Sequence, residues 1–299
     1  MRELGTLIAR HVPAAEGRWK NDALGLMFAK ASVIREPTQQ VYEPVFALVV
    51  QGEKQLLLGD QLFTCGRGSF VVVSVDLPIT FQISRATAKE PYLALALTLK
   101  PAAIASLLLE ATSVDRLPAS AEVAGMGVSD APSELLDALV RLLRLLDQPR
   151  DLPVLAPIAE KEILWRLLCS KQGPRLRQVG LADSRLSQIG RAMRWMREHY
   201  RETLPVEELA RISAMSVTSF HRHFRAVALM SPLQYLKHIR LQEARALLLA
   251  QAEDVASVGH AVGYDSPSQF SREYKRAYGS PPSQDARALR APSSTRASR

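Results

Sequence analysis

A segment near the C-terminal end of the chain occurs twice, 50 residues apart. Met215-Ser-Val-Thr-Ser-Phe-His-Arg-His-Phe-Arg225 aligns without gaps with Asp265-Ser-Pro-Ser-Gln-Phe-Ser-Arg-Glu-Tyr-Lys275. Ser216 matches Ser266, Phe220 matches Phe270, Arg222 matches Arg272, and Phe224 matches Tyr274. Such repetition means that one supersecondary unit is used twice. At about 100° per residue, Phe220 and Phe224 share one helix face, while Thr218, His221, Arg222 and Arg225 project from the other. In the second copy Phe270 and Tyr274 sort inward, with Ser268, Ser271, Arg272 and Lys275 outward. Hydroxyls, an imidazole or amide, and arginine suit a DNA major groove. Arg can donate two hydrogen bonds to guanine, and Ser or Thr can reach a base edge or a phosphate. One copy alone reads as the solvated face of an ordinary buried helix; two copies with the same face chemistry favour DNA. The expected DNA-facing residues are Ser216, Thr218, Ser219, His221, Arg222 and Arg225, then Ser266, Ser268, Gln269, Ser271, Arg272, Lys275 and Arg276.

The residues upstream of each copy complete a helix-turn-helix. Pro205-Val-Glu-Glu-Leu-Ala210 has proline and two acids where a first turn favours them. That helix is expected to reach about Ile212, with Ser213-Ala-Met-Ser216 turning into the outward-facing helix. In the second copy Asp254 to Ala261 leads, and Val262-Gly-Tyr-Asp-Ser266 turns, Gly263 supplying permissive backbone. Between the units, Ser231-Pro232 reads as N-cap and first residue of a connecting helix. Its buried stripe is Leu241, Ala244 and Leu248. An amphipathic stretch from Ser187 to Tyr200, with Ile189, Met193 and Met196 inward, precedes both units. Two recognition helices fixed by one linker helix would enter adjacent major grooves, about 34 Å apart.

These residues resemble the DNA-binding domain of the AraC/XylS family of bacterial transcription regulators, over about Leu186 to Arg290. The match is carried by Leu209-Ala210, Met215-Ser216, Phe220, Arg222, Phe224, Ser231-Pro232, Tyr235, Arg240-Leu241, Ala244 and Leu248. It continues through Gly263-Tyr264, Ser266, Phe270-Ser-Arg272, Lys275, Gly279 and Pro281-Pro282. Three positions depart from the family pattern. Leu229 stands where glycine is usual before Ser-Pro, Ala214 occupies a turn position often filled by glycine, and Gly259 replaces a small alanine. Each would loosen a turn or helix by about 1 kcal/mol, and none is a base-reading position.

Charge agrees with this reading. Residues 181–299 hold 18 Lys and Arg against 11 Asp and Glu, which is seven of the chain's net +8. A phosphate-binding surface concentrates positive charge in this way. The tail from Gln284 onward, rich in Pro, Ser, Ala and Arg, reads as disordered, with 291–299 a basic tail outside the domain.

The first 180 residues follow a different pattern, and a chain of 299 residues is long enough for two domains. Val41 to Leu99 is dense in Val, Leu, Phe, Tyr, Ile and Thr, cut by turn signals at Gln51-Gly-Glu-Lys54, Leu58-Gly-Asp60, Cys65-Gly-Arg-Gly68 and Val75-Asp-Leu-Pro78. Regularly spaced short strands argue a small sandwich or barrel, and Gly59-Asp60 suits a tight hairpin. Phe46, Leu48, Phe70, Val72, Phe81 and Tyr92 read as core. A Leu-rich helix is expected from Ser133 to Leu146, a second from about Pro157 to Cys169, and a polar, basic linker from Lys171 to Asp183. Glu43-Pro44, Val49-Val-Gln-Gly52, Lys54, Leu58-Gly59, Asp76-Leu-Pro78 and Pro91-Tyr-Leu-Ala94 resemble the N-terminal domain of a subgroup of AraC-like regulators. Glu162-Ile-Leu164 and Arg166-Leu-Leu168 extend the likeness. The resemblance implies a cupin-like β-barrel followed by helices that commonly mediate dimerisation. It implies a regulatory module without naming a ligand.

The fold class expected is therefore α+β in two domains: a cupin-like barrel with C-terminal helices, then an all-α DNA-binding domain with two helix-turn-helix motifs. The boundaries are 1–180 for the regulatory domain with its linker and 184–290 for the DNA-binding domain, whose units lie at about 205–226 and 254–277.

Enzymatic alternatives find little support. A cupin enzyme holds its metal with clustered His and a carboxylate. The six histidines are His11, His199, His221, His223, His238 and His260, none within the strand-rich region. His221 and His223 sit two apart on a helix, where side chains do not converge. A DNA-repair methyl acceptor needs an activated Cys. Only Cys65 and Cys169 are present, and both read as structural thiols suited to a reducing cytosol. No signal peptide or membrane span is apparent. The reading is a cytoplasmic, sequence-specific DNA-binding regulator with no catalytic residue, cofactor or metal. Its expected partners are double-stranded DNA and a second copy of the chain, with RNA polymerase and a small-molecule effector as further candidates. A ligand-independent architectural DNA binder is the competing class.

Overall fold

The computed structural model describes residues 1–13, 16–21, 24–34, 36–110, 124–181, 184–250 and 254–290. The tail expected at 291–299 and the last two positions of the expected linker, 182–183, lie outside them.

The N-terminal region opens with a helix, α1 (Arg2–His11), whose Leu4, Leu7 and Ile8 are buried at helical spacing. Strands follow: β1 (Gly17–Asn21), β2 (Leu26–Ala31), β3 (Thr38–Tyr42), β4 (Val45–Gln51), β5 (Glu53–Leu58), β6 (Gln61–Cys65), β7 (Ser69–Val73), β8 (Leu77–Arg85) and β9 (Tyr92–Thr98). After helix α2 (Pro101–Glu110) comes strand β10 (Met126–Asp130). Among the described residues these form two antiparallel sheets, one in the order β1-β2-β9-β4-β7-β10 and one in the order β3-β8-β5-β6. The ladders do not run on into a single closed ring. Where a cupin-like barrel was expected, the described residues form two antiparallel sheets that share one core and are not closed through hydrogen bonds.

Pleating explains the layers. In β4 residues 45–50 are all buried, because this strand is central to the larger sheet and α1 packs on it. In β5 Lys54, Leu56 and Leu58 are buried while Gln55 and Leu57 are not, the alternation of a strand with one face on the core. The β5–β6 hairpin turns at Gly59-Asp60 as expected, Gly59 taking φ 57°. Phe46, Leu48, Phe70, Val72 and Tyr92 are buried, and Phe81 is partly so. Cys65 is buried in β6, but Cys169 is exposed, so only the first is a core thiol.

Helices α3 (Ser133–Arg144) and α4 (Leu152–Leu168) follow, the latter starting five residues before the expected position and keeping Pro157 in its second turn. The expected linker is corrected in part: Gly173–Gly180 is a helix, α5, packed through Leu176 and Val179. Its charged residues disguise a short apolar stripe.

The remaining helices among the described residues are α6 (Arg185–Glu198), α7 (Val206–Ile212), α8 (Val217–Ala228), α9 (Pro232–Ala250), α10 (Val255–Ala261), α11 (Pro267–Tyr278) and α12 (Pro282–Arg290). Ser231 and Gln234 form a reciprocal capping box at the start of α9: Gln234 N donates to Ser231 Oγ at 3.3 Å, and Ser231 N to Gln234 Oε1 at 2.8 Å. The disorder expected from Gln284 is corrected as well, because α12 docks through Asp285 and Ala286. Asp285 accepts from Arg245 Nε at 2.9 Å and Tyr274 OH at 2.8 Å, an anchoring that composition alone does not reveal.

Two apolar cores result. One runs from Leu4 through Ile239, so the first helix-turn-helix unit shares it with the sheets. The other is confined to the second unit, from Leu241 to Ala286. Helix α9 feeds both, with Tyr235, Leu236 and Ile239 in the first and Leu241, Ala244 and Leu248 in the second.

Candidate nucleic-acid interface

In the first unit α7 and α8 are joined by a turn in which Met215 N donates to Ala210 O at 2.9 Å. Ser216 is the N-cap of α8, its Oγ accepting from Ser219 N at 3.3 Å. Phe220 and Phe224 are fully buried, 5.4 Å apart, and Phe224 meets Tyr235 edge-on at 5.4 Å. Aromatic pairs of this kind contribute about 0.5–1.5 kcal/mol beyond their burial. On the opposite face Ser216, Thr218, His221, Arg222 and Arg225 are exposed and Ser219 is half-buried. His221 and His223 diverge as expected: His223 is buried, and its Nε2 lies 3.2 Å from Arg222 Nη2.

The second unit repeats the plan. Asp254 caps α10 by accepting from Ala256 N, and Ser266 caps α11 by accepting from Gln269 N at 3.3 Å. Phe270 and Tyr274 are buried, while Ser268, Gln269, Arg272, Lys275 and Arg276 are exposed and Ser266 and Ser271 half-buried. All thirteen expected residues therefore lie on or beside the outward faces of α8 and α11. Gly259 fits tightly against Phe270, where an added methyl would lie 3.0 Å from the ring.

The departures from the family pattern have a conformational signature. Ala214 and Leu229 have φ of 52° and 57°. Their counterparts by hydrogen-bond pattern in the second unit, Gly263 and Gly279, also have positive φ, at 90° and 76°. The first unit holds side-chain-bearing residues where the second uses glycine, at about 1 kcal/mol each.

Residues outside the exposed faces of α8 and α11 fix those faces in place. Arg240 on α9 donates to the carbonyls of Tyr200, Gly263 and Glu202 at 2.7, 2.8 and 2.9 Å, tying the α6–α7 corner to the turn of the second unit. Glu273 on α11 accepts from Lys237 Nζ at 2.7 Å, Tyr264 OH at 2.9 Å and Gln269 Nε2 at 3.2 Å. Burial opposes its ionisation, but these donors outweigh burial and hold the carboxyl below its ordinary range. Spacing alone did not single out Glu273, since an acid on a basic helix reads as a solvated neighbour.

The first unit is docked on the sheets. Arg197 Nη1 donates to Glu43 Oε1 at 2.7 Å and to Asp76 Oδ2 at 3.2 Å, and Tyr235 OH donates to the Asp76 carbonyl at 2.9 Å. Gly125 N donates to Val227 O, in the last turn of α8, at 2.8 Å. Gln39 hydrogen-bonds His238, whose pKa burial lowers. Beside this junction is a largely apolar cleft of about 380 Å³ between the sheets, α2, α5 and α6, with Arg191 and Arg194 on its α6 wall.

Comparison with known proteins covers both regions. Residues 23–175 match the family model of the AraC-type transcriptional regulator N-terminus, and residues 209–288 that of a helix-turn-helix domain. The MmsAB operon regulatory protein of Pseudomonas aeruginosa is 36% identical over 89 residues, 30% of this chain and 29% of that protein. The transcriptional regulator ExsA of the same species is 28% identical over 156 residues, 52% of this chain and 56% of its own length. The matched segments thus span about a third to a little over half of these relatives. Among solved structures, unsaturated fatty acid-bound ToxT from Vibrio cholerae has a TM-score of 0.53 at 11% identity, covering 87% of this chain and 94% of ToxT. That likeness is one of fold.

Proposed function

This chain belongs to the AraC-type transcriptional regulators, and on that premise we propose that it recognises a two-part DNA site through α8 and α11 and is not an enzyme. The observation that carries the reading is the pair of capped helices with buried aromatics on one face and exposed Arg, Lys and hydroxyl side chains on the other. Because the two faces differ in sequence, one chain reads an asymmetric site. Phosphate contacts set affinity and salt dependence, and Arg222 and Arg272 supply base contacts. Residues 1–180 form the regulatory part and 184–290 the DNA-binding part. No helix among the described residues is long and apolar enough to cross a membrane. The cytoplasm is the compartment that goes with a DNA ligand, and that location is part of the proposal.

The regulatory part responds to a small-molecule effector that changes how the first unit docks on the sheets. An effector acts only through different affinities for the two arrangements. ToxT, a protein of this fold, binds an unsaturated fatty acid, so the fold is compatible with a small-molecule ligand. A second copy joins through α4, where Val154, Leu155 and Ile158 share a face and are 66%, 41% and 61% exposed. RNA polymerase is the expected further partner at a promoter.

Selection of binding sites from random duplex DNA by the full chain tests the reading. A bipartite consensus with a steep salt dependence of affinity is expected. Binding without sequence preference would favour an architectural role, and no salt-sensitive binding would refute the DNA assignment.

A further inference from the structure

The 50-residue repeat pairs His223 with Glu273, each directly after an arginine that the two units share, Arg222 and Arg272. Both lie on the inner side of a helix whose outer face carries the expected DNA-facing side chains. His223 is 3% exposed, and the Glu273 side chain is 17% exposed. Each nevertheless meets a side chain of the outer face. His223 Nε2 lies 3.2 Å from Arg222 Nη2, and Glu273 Oε1 accepts from Gln269 Nε2 at 3.2 Å. Arg222 and Gln269 are themselves exposed.

The chemistry of each contact fixes more than a distance. A guanidinium has donors only, so His223 Nε2 accepts, and the imidazole is neutral with its proton on Nδ1. A carboxylate only accepts, so the Gln269 amide turns its nitrogen, not its oxygen, toward Glu273. Arg222 gives one N–H to His223, and the rest of its fork suits O6 and N7 of guanine. Gln269 keeps its oxygen and a second N–H, the pair that reads N6 and N7 of adenine. A reading side chain held in one rotamer before binding loses less freedom on binding and meets one base edge in one geometry. The two acceptors are themselves held. Burial confines His223, and Glu273 also accepts from Lys237 on α9 and Tyr264 in the turn before α11.

We propose that positions 223 and 273 are positioning residues for base reading, His223 orienting Arg222 for guanine in one half of the site and Glu273 orienting Gln269 for adenine in the other. Each acts through one neighbour, and the same place in the repeat pre-sets a different reader in each unit. The assignment rests on the reading of α8 and α11 as the DNA-facing helices and adds which side chains are pre-set and by what.

The test is gel-shift titration of the full chain on the duplex it selects from random DNA and on each single-base-pair variant of that duplex. Preference is a ratio of two affinities, so a general loosening of the fold cancels. Arg222→Ala and Gln269→Ala identify the base pair that each side chain reads. His223→Leu should lower preference at the Arg222 base pair about two- to tenfold, the worth of one hydrogen bond, and leave the other base pairs unchanged. His223→Gln, whose amide oxygen extends about as far as Nε2, should retain it. In an Arg222→Ala background His223→Leu should cause no further loss. Glu273→Met should lower preference at the Gln269 base pair alone, and should add nothing to Gln269→Ala. Circular dichroism shows which variants are folded; if one unit's variant is not, the other unit's decides. Unchanged preference in a folded His223→Leu or Glu273→Met protein would overturn the role in that unit. So would a loss spread evenly over the base pairs, or one that persists without Arg222 or Gln269. If Arg222→Ala and Gln269→Ala alter no preference, α8 and α11 do not read bases, and the proposed function fails together with the positioning role.

Discussion

Arg197 on α6 reaches across the junction to Asp76, its Nη1 3.2 Å from a carboxylate that is 7% exposed. The same guanidinium holds Glu43 at 2.7 Å, and the Asp76 backbone accepts from Tyr235. One acid in a turn between strands thus fixes both the first helix of the DNA-binding part and its connecting helix α9. Removing one partner of a buried pair leaves an uncompensated charge and costs about 3–5 kcal/mol. Arg197 keeps 37% of its side-chain surface in solvent, so Arg197→Ala should cost about 1–3 kcal/mol. Asp76→Asn should cost little or nothing, because it also removes a carboxylate charge that burial disfavours, and the double variant should cost less than the sum of the two. Urea unfolding of the four proteins measures that coupling, and strict additivity would show that the pair holds nothing together.

The same acid gives docking a pH dependence. Burial raises the Asp76 pKa despite the opposing pull of Arg197. A carboxyl with a raised pKa binds its proton more readily docked than free, so docking weakens as pH rises from the ordinary carboxylate value through the raised one. Below that interval the penalty is absent, and above it the penalty is complete. Hydrogen exchange of α6, corrected for intrinsic rates and followed against pH, should show greater protection at the acid end. Asp76→Asn should flatten the profile.

Much of this arrangement is legible in the sequence because it rests on local periodicity. Phe220 and Phe224 are a helical interval apart, Ser231-Pro232 announces a capped helix, and Gly59-Asp60 announces a hairpin. What could not be read depends on contacts between segments distant in sequence. Gly173–Gly180 looks like a polar linker until α2 is placed beside it. Asp285 looks like part of a solvated tail until Arg245 and Tyr274 meet it. Lys54 matched a family motif, yet only the strand register shows that it points into the core. The residues expected on the outward faces of α8 and α11 are exposed or half-buried there, because exposure on a helix follows from the burial of its opposite side.

Gly59 and Leu229 offer a further test of docking. A methyl group on Gly59 would overlap the Leu229 carbonyl oxygen, and Gly59 has positive φ as well. Gly59→Ala should therefore separate the hairpin from the end of α8 and lower stability by about 1–3 kcal/mol. Ala214→Gly lies in the same left-handed region without being docked on the sheets, and should be neutral or stabilising by up to about 1 kcal/mol. Chemical denaturation distinguishes them; effects equal in size and opposite in sign would mean that backbone conformation alone, and not contact with Leu229, governs Gly59.

Arg222 and Arg272 occupy matching exposed positions in the two units. Each Arg→Ala change should relax base preference in one half of the site at a cost of about 1–3 kcal/mol, leaving the other half intact. Lys275→Ala, if it removes a phosphate contact, should weaken all sequences alike and reduce the salt slope by about one. Site selection with each variant reads the two patterns directly. Unchanged preference in both arginine variants would defeat the assignment of bases to these helices.

Glu273 sets the acid limit of the second unit. Its carboxyl is held below the ordinary range because donation from Lys237, Tyr264 and Gln269 outweighs burial. For an acid with a depressed folded pKa, the stabilisation is present above the ordinary value and is lost as pH falls through the folded one. The second unit has its own apolar core, so this loss should appear locally in α11 before the sheets respond. Hydrogen exchange of α11, corrected for intrinsic rates, should therefore accelerate as pH falls through that interval. Glu273→Gln keeps an acceptor for Tyr264 but loses the charge facing Lys237, and should give weaker protection at neutral pH with a flat acid profile. If the parent and Glu273→Gln proteins lose α11 protection along the same curve, the Lys237–Glu273–Tyr264 cluster does not control how firmly α11 is held.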